Sequence, residues 1–360
     1  MSALERLDRL YRRTGANLPY GDPRPSHGAE MEGYFWRFSD PTRRRVLVVL
    51  CGINQHPDGD WATVAIAAHP GGFVRSAILS GARSSPEGFH VTAGNGAFRA
   101  TATEVHVDLG PDARADLTIG EPVTWPHALG GGGIFSMLPF LGQYWHPHLL
   151  GGVARGTAQI AESEWTFDRA DVYAEKNWGA GFPERWWWGQ AQGFDRPDVC
   201  VVFTGGVLTA GPLSATVGGV VVRIGAHVIR LAMPLSIVRS TADGTHWEVR
   251  ARSLGHRVHI VGHASHAPHV LPVPVPAERR NADTDFEHLA GHLRLDVSGR
   301  VRYTGETELA GLEIGHRPPA TSHRWRQRRL DGVKHVWRKQ VCDGSTWVYQ
   351  PGDAARALRD

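Results

Sequence analysis

Cysteine is scarce: Cys51, Cys200 and Cys342 are far apart and odd in number. They form neither a disulfide framework nor a paired metal motif, which suits a reducing cytosol. No run of about 18 apolar residues occurs, so no membrane span is expected. An excess of one charge is missing too. Lys plus Arg number 39 and Asp plus Glu 36, leaving +3. That balance gives no push towards nucleic acid, and no nucleic-acid partner is expected. No GxSxG or Walker signature appears, and the glycines around Ala180 lack the third member of a dinucleotide fingerprint.

Glycine and proline are abundant, at 43 and 23 residues, which favours many turns and short strands. The opening residues form a predicted short amphipathic helix, with Leu4, Leu7 and Leu10 at helical spacing. Strand-like runs then follow at intervals of roughly 8–12 residues, the pattern of an all-β chain. Tyr34–Phe38, Val46–Leu50, Thr63–Ala67, Phe73–Leu79, Trp186–Gln192, Val199–Phe203 and Leu293–Val297 are examples. Residues 1–27 are read as helix and loop, 28–165 and 166–316 as two successive β units, and 317–360 as a basic tail. Four glycines at Gly130–Gly133 read as a loop, since no Lys-Ser/Thr follows for a phosphate loop. Ala267–Pro276 reads as a proline-rich connector. The basic run Arg324–Lys339 reads as a solvated face.

The richest stretch is Tyr173–Phe194, YAEKNWGAGFPERWWWGQAQGF. As a strand, it places Tyr173, Glu175 and Asn177 on one face and Ala174, Lys176 and Trp178 on the other. After a Gly-Pro loop, Trp186, Trp188, Gln190 and Gln192 share a face, with Trp187 opposite. Indoles on both faces require cover on both sides. A carboxyl group in such surroundings is hard to ionise and can donate a proton near neutral pH. Indole faces steady a cation by about 0.5–2 kcal/mol each. Acid plus aromatic faces is what protonation of an alkene needs. The alternative is structural: Glu175 pairs with Lys or Arg, and the tryptophans are ordinary core.

Five histidines, His256, His259, His263, His266 and His269, fall close together, but their spacing matches no zinc motif, and no metal is assigned. His146 and His148 alternate together beside the rich stretch and are candidates for pocket lining.

Residues Tyr173, Glu175, Lys176, Asn177, Trp178, Gly179, Gly181, Phe182, Pro183, Trp186, Trp188 and Gln190 match the pattern YxEKNWGxGFPxxWxWxQ. This segment resembles the signature of the tocopherol cyclase family. Pro139-Phe140, Trp145 and Gly151-Gly152 resemble an upstream element of that family. Glu32–Phe35 resembles its early strand, and Leu309–Gly315 its late A-x-x-E-x-G element. More remotely, the family is similar to hydroxyneurosporene synthase and lipocalin-like cyclases. The resemblance implies two tandem lipocalin-like antiparallel β-barrels or sandwiches.

It also implies a cofactor-free closure of a chromanol ring on a prenylated hydroquinone, with the isoprenoid tail in a barrel. In that reaction Glu175 would be the acid, and Asn177 or Tyr173 would orient the phenol. Trp178, Trp186, Trp188, Gln190, Trp145, His146 and Tyr34 would line the substrate site. The implied partner is a small hydrophobic substrate, a prenylated quinol or related isoprenoid. The expected location is the cytoplasm, with peripheral membrane contact left open by a membrane-soluble substrate. Two other functions stay open: a non-catalytic carrier of a lipid or quinone, and a related terpenoid or polyketide cyclase or carotenoid-type hydratase.

Overall fold

The computed structural model describes residues 29–318, apart from 86, 87, 128, 139, 140, 211 and 212, together with 2, 5 and 6. The helix expected around Leu4–Leu10, the basic tail, Cys342 and the Pro139-Phe140 pair lie outside the described residues.

The chain forms two antiparallel sheets of 12 and 10 strands. The first runs in the order Phe73–Ser80, Trp61–His69, Arg45–Asn54, Met31–Asp40, Ser163–Gly179, Val153–Ile160, Ala113–Gly120, Glu104–Asp108, Phe98–Thr101, His90–Ala93, Arg83–Ser84. Gln143–Leu149 also pairs with Ser163–Gly179. The second runs His227–Ala232, Leu213–Ile224, Val199–Ala210, Arg185–Ala191, Tyr303–His316, Arg280–Gly299, His256–His263, His246–Arg252, Ile237–Ala242. His269–Val275 pairs with Arg280–Gly299.

Alternation explains where each strand sits. Ala113–Gly120 alternates buried and exposed, as a strand with one wet face should. Met31–Asp40 is covered on both faces along most of its length, which marks it as a wall between two packed layers. Trp36, Phe38, Phe98, Trp165 and Phe167 fill the interior of the first sheet. Phe203, Val222, Trp247 and Leu295 fill that of the second. Each sheet folds around its own solid core. A third layer of contacts joins them: Val46, Val48 and Ala67 meet Leu271, Leu289 and Leu309, and Tyr173 meets Trp188, Cys200 and Val202. The fold is the all-β, lipocalin-like arrangement expected.

Two expectations need correction. The break placed between residues 165 and 166 falls inside Ser163–Gly179, a single strand of 17 residues. Its first half ladders with Val153–Ile160 and its second with Met31–Asp40. The chain crosses between the sheets at residues 180–184 instead. The connector Ala267–Pro276 contains a strand, His269–Val275. Pro272 and Pro274 are two apart, so both missing N–H groups face the same, unladdered side, where an edge strand tolerates proline.

Gly179 closes the long strand with φ at +149°, and a Cβ there would lie 2.2 Å from the Gly142 carbonyl oxygen. Only glycine lets the strand Gln143–Leu149 start this close beside it.

A candidate active site between the two sheets

The cavity lies between the sheets, not inside either barrel. Its volume is about 550 Å³, in the range of small-molecule sites. Phe35, Leu50 and Gly52 line it from the first sheet, and Trp186, Trp188 and Leu271 from the second. Buried side chains pack the interior of each sheet, and this cavity lies between them rather than inside a barrel, the place the resemblance implies for the isoprenoid tail. The short 3-10 helix Gly133–Met137, which follows the glycine run, brings Phe135 and Ser136 to the cavity wall.

Glu175 is buried at the centre. Its Oε2 accepts three hydrogen bonds: from Tyr173 Oη at 2.5 Å, Trp145 Nε1 at 2.8 Å and Trp188 Nε1 at 2.9 Å. Among the described residues nothing hydrogen-bonds Oε1. Burial raises the Glu175 pKa, and the three donors oppose that rise without cancelling it. No lysine or arginine pairs with it, so the ion-pair alternative does not apply among the described residues. Burial and the neighbouring carboxylate push the Tyr173 hydroxyl well above 10, so it stays a donor.

Asn177 also lines the cavity, and its Oδ1 is buried without a partner. Gly33 lies opposite it in the ladder. A Cβ on Gly33 would come within 2.6 Å of that oxygen.

The predicted residues divide between two layers. Glu175, Asn177, Trp145, Trp186, Trp188 and Tyr34 line the cavity. Tyr173 sits behind Glu175. Trp178 faces the other way, stacked on Tyr144 at 5.5 Å, because it is one residue out of phase with Asn177. His146 is buried away from the cavity, edge-on to Trp125 at 5.3 Å, and its Nδ1 accepts from Gly131 N. Gln190 is buried against Gln192 and Cys200. Of the histidine cluster, His259 bonds Glu248 at 2.9 Å and His269 bonds the Ala68 carbonyl at 3.1 Å. No group of three metal-ligating side chains forms among the described residues.

Sequence reasoning missed a second carboxyl cluster. Asp285 and Glu313 line the cavity, and Glu287 lies directly opposite Glu313 in the ladder. Asp285 and Glu313 share a hydrogen bond, and Trp186 Nε1 donates to Glu313. Near Glu287 lies Arg37, fully buried, whose Nη2 donates to the carbonyls of Leu289 at 2.8 Å and Leu309 at 2.6 Å. Burial, then mutual repulsion, pushes Glu287 to about 8 and Asp285 well above 3.8. Burial pushes Glu313 to about 7. The signals were an acidic residue at alternate positions in Asp285-Phe286-Glu287, and Glu313 within LAGLEIG.

These raised values make a stability prediction. A carboxyl that holds its proton more tightly when folded stabilises the fold at low pH, and that contribution is lost as pH rises. The window runs from 4.5 up to about 7 for Glu313 and about 8 for Glu287. Glu313→Gln should therefore raise the melting temperature at about pH 8 and change it little at about pH 4, read by calorimetry.

An acid-bearing, aromatic-walled cavity at the seam of two lipocalin-like sheets defines a class of small-molecule β proteins. Within that class the chain belongs to the tocopherol cyclase-like family, whose profile matches residues 82–316. It is 26% identical over 210 residues to a probable chloroplastic tocopherol cyclase of Oryza sativa subsp. japonica, a match covering 52% of this chain and 42% of that one. It is 32% identical over 97 residues to a chloroplastic tocopherol cyclase of Zea mays, covering 27% of this chain and 18% of that one. The chain thus spans less than half the length of these plant relatives. The crystal structure of CghA shares its fold, with a TM-score of 0.55 and 13% identity, covering 79% of this chain and 88% of that one.

Proposed function

We propose that this protein closes an oxygen ring on a prenylated hydroquinone, with Glu175 as the proton donor. The observation that carries this reading is the asymmetry of the Glu175 carboxyl group. Three donors occupy Oε2, so a proton carried by the group sits on Oε1, in the cavity it lines. Burial raises the pKa of this acid, which favours the protonated form over that of an exposed carboxyl group.

The step balances without any co-reactant. The proton leaves Oε1 and bonds to the less substituted carbon of the nearest prenyl double bond, whose π bond breaks. The other carbon becomes a tertiary cation. The faces of Trp145, Trp186 and Trp188, with Phe35, steady it, and the apolar wall keeps water from capturing it. The phenolic oxygen then forms the C–O bond and loses its proton. Substrate and product are isomers. Asn177, with an unpartnered buried oxygen, is the residue to orient a hydroxyl group.

Purified protein incubated with a singly prenylated hydroquinone should give a chromanol. It is distinguished from the starting isomer by retention time and by one fewer exchangeable proton. Recovery of bound, unchanged ligand would mean a carrier instead. Gly33→Ala should slow this reaction about tenfold by displacing the Asn177 amide, while Glu175 chemistry stays intact. Initial rates of the two proteins check it.

A further inference from the structure

The proposed ring closure takes up one proton and releases another, and Glu175 accounts only for the first. We propose that Asp285 and Glu313 form a second carboxyl station that binds the attacking hydroxyl group and takes its proton as the C–O bond closes. This inference deepens the cyclase reading and rests on it for its chemistry.

The geometry begins with one strand. Trp186 and Trp188 lie two residues apart on the same face of Arg185–Ala191, about 7 Å along it. Trp188 Nε1 holds Glu175 and Trp186 Nε1 holds Glu313. The same aromatic wall therefore presents two separate carboxyl groups to one cavity. Addition of a proton and an oxygen across a double bond proceeds most readily from opposite faces. The acid that delivers the proton is then badly placed to collect the other one, and a second acceptor on another wall is required.

Asp285 and Glu313 suit that task. They share a hydrogen bond, which two carboxyl groups form only when one of them carries a proton. The pair is then a monoanion that accepts a further proton without creating a buried charge. Asp285 and Glu313 both line the cavity, so a ligand hydroxyl held there meets the pair. The charged groups around the pair are Glu287 across the ladder, Glu175 along the cavity, Arg37 behind Glu287 and Arg317 at the rim. Glu287 keeps its proton up to about pH 8, so it adds no second negative charge beside the pair. In the step, the O–H bond of the attacking phenol breaks and its proton passes to the Asp285–Glu313 pair. The oxygen keeps the electron pair and closes the ring. Exchange with solvent then returns the pair and Glu175 to their starting states.

Two measurements test this. The first uses hydroquinone without a prenyl chain, whose binding depends on no ring closure. Glu313→Gln should weaken its affinity about tenfold, the value of a hydrogen bond to a charged group. Glu175→Gln should leave that affinity within about twofold. Unchanged affinity in Glu313→Gln overturns the proposal. The second follows turnover of the prenylated substrate in deuterium oxide. Loss of the acceptor leaves the alkene protonation intact, so the cation returns to alkene. Glu313→Gln should then form chromanol about a hundredfold more slowly, while recovered substrate gains deuterium at the double bond. Glu175→Gln should give neither product nor deuterium. A parallel loss of both signals in Glu313→Gln overturns the proposal. Should that variant fail to fold, Asp285→Asn carries the same predictions. Absence of chromanol with the unaltered protein counts against the cyclase reading alone, and the hydroquinone measurement still decides the binding role.

Discussion

Glu175→Gln is expected to reduce ring closure by at least about a thousandfold, within the usual range for a general acid, with the folded state preserved. Glutamine keeps the shape of the side chain and an oxygen to accept from Tyr173, Trp145 and Trp188, the three donors that fix Glu175. It cannot release a proton to an alkene. The melting temperature should rise or hold, because burial of an ionisable group is removed. Single-turnover product formation beside a thermal melt separates the two effects. Substantial activity in this variant would transfer the acid role elsewhere in the cavity, with Glu313 as the next carboxyl group in line.

Arg37→Met should destabilise the protein by about 3–5 kcal/mol, the range found when one partner of a buried charge network is removed. Arg37 spans the seam: it leaves the first sheet and donates to two carbonyls of the second. Its loss strands those carbonyls and leaves Glu287 without a compensating charge. Glu287, already pushed to about 8, rises further in the variant. The destabilisation should therefore grow as pH rises past about 8, where Glu287 of the unaltered protein gives up its proton in the folded state and that of the variant does not. Urea melts on either side of that pH read it. Adding Glu287→Gln to Arg37→Met should recover part of the loss, most of it at the alkaline end.

Period-two alternation made part of the candidate site's geometry legible. It placed Tyr173, Glu175 and Asn177 together and Trp187 opposite Trp186 and Trp188, and the ladder shows those relations. It could not say which face looks into a cavity. Trp178 and Asn177 belong to strand faces that are both covered, so pattern alone grouped Trp178 with the lining. The position of the cavity was illegible for the same reason. Trp36 and Phe38 pack inside a barrel, while Phe35 on the same strand meets Trp188 across the seam at 5.4 Å. Nothing in the local pattern marks Arg37, Asp285 or Glu287 as buried. Their burial depends on a second sheet arriving from distant sequence. The strand Ser163–Gly179 defeated the expected boundary because it serves two sets of neighbours in turn.

The solid interiors of the two sheets have a mechanical consequence. The cavity sits at the joint between two packed blocks, outside the core cluster of either. A guest lodged in that joint replaces missing mortar, adding apolar contact to both faces at once. Occupancy and cohesion of the blocks are then linked quantities: whatever tightens the joint slows exchange of the guest, and a bound guest raises the melting point of the whole. Variation along the seam can alter what is held there without disturbing the packing of either block.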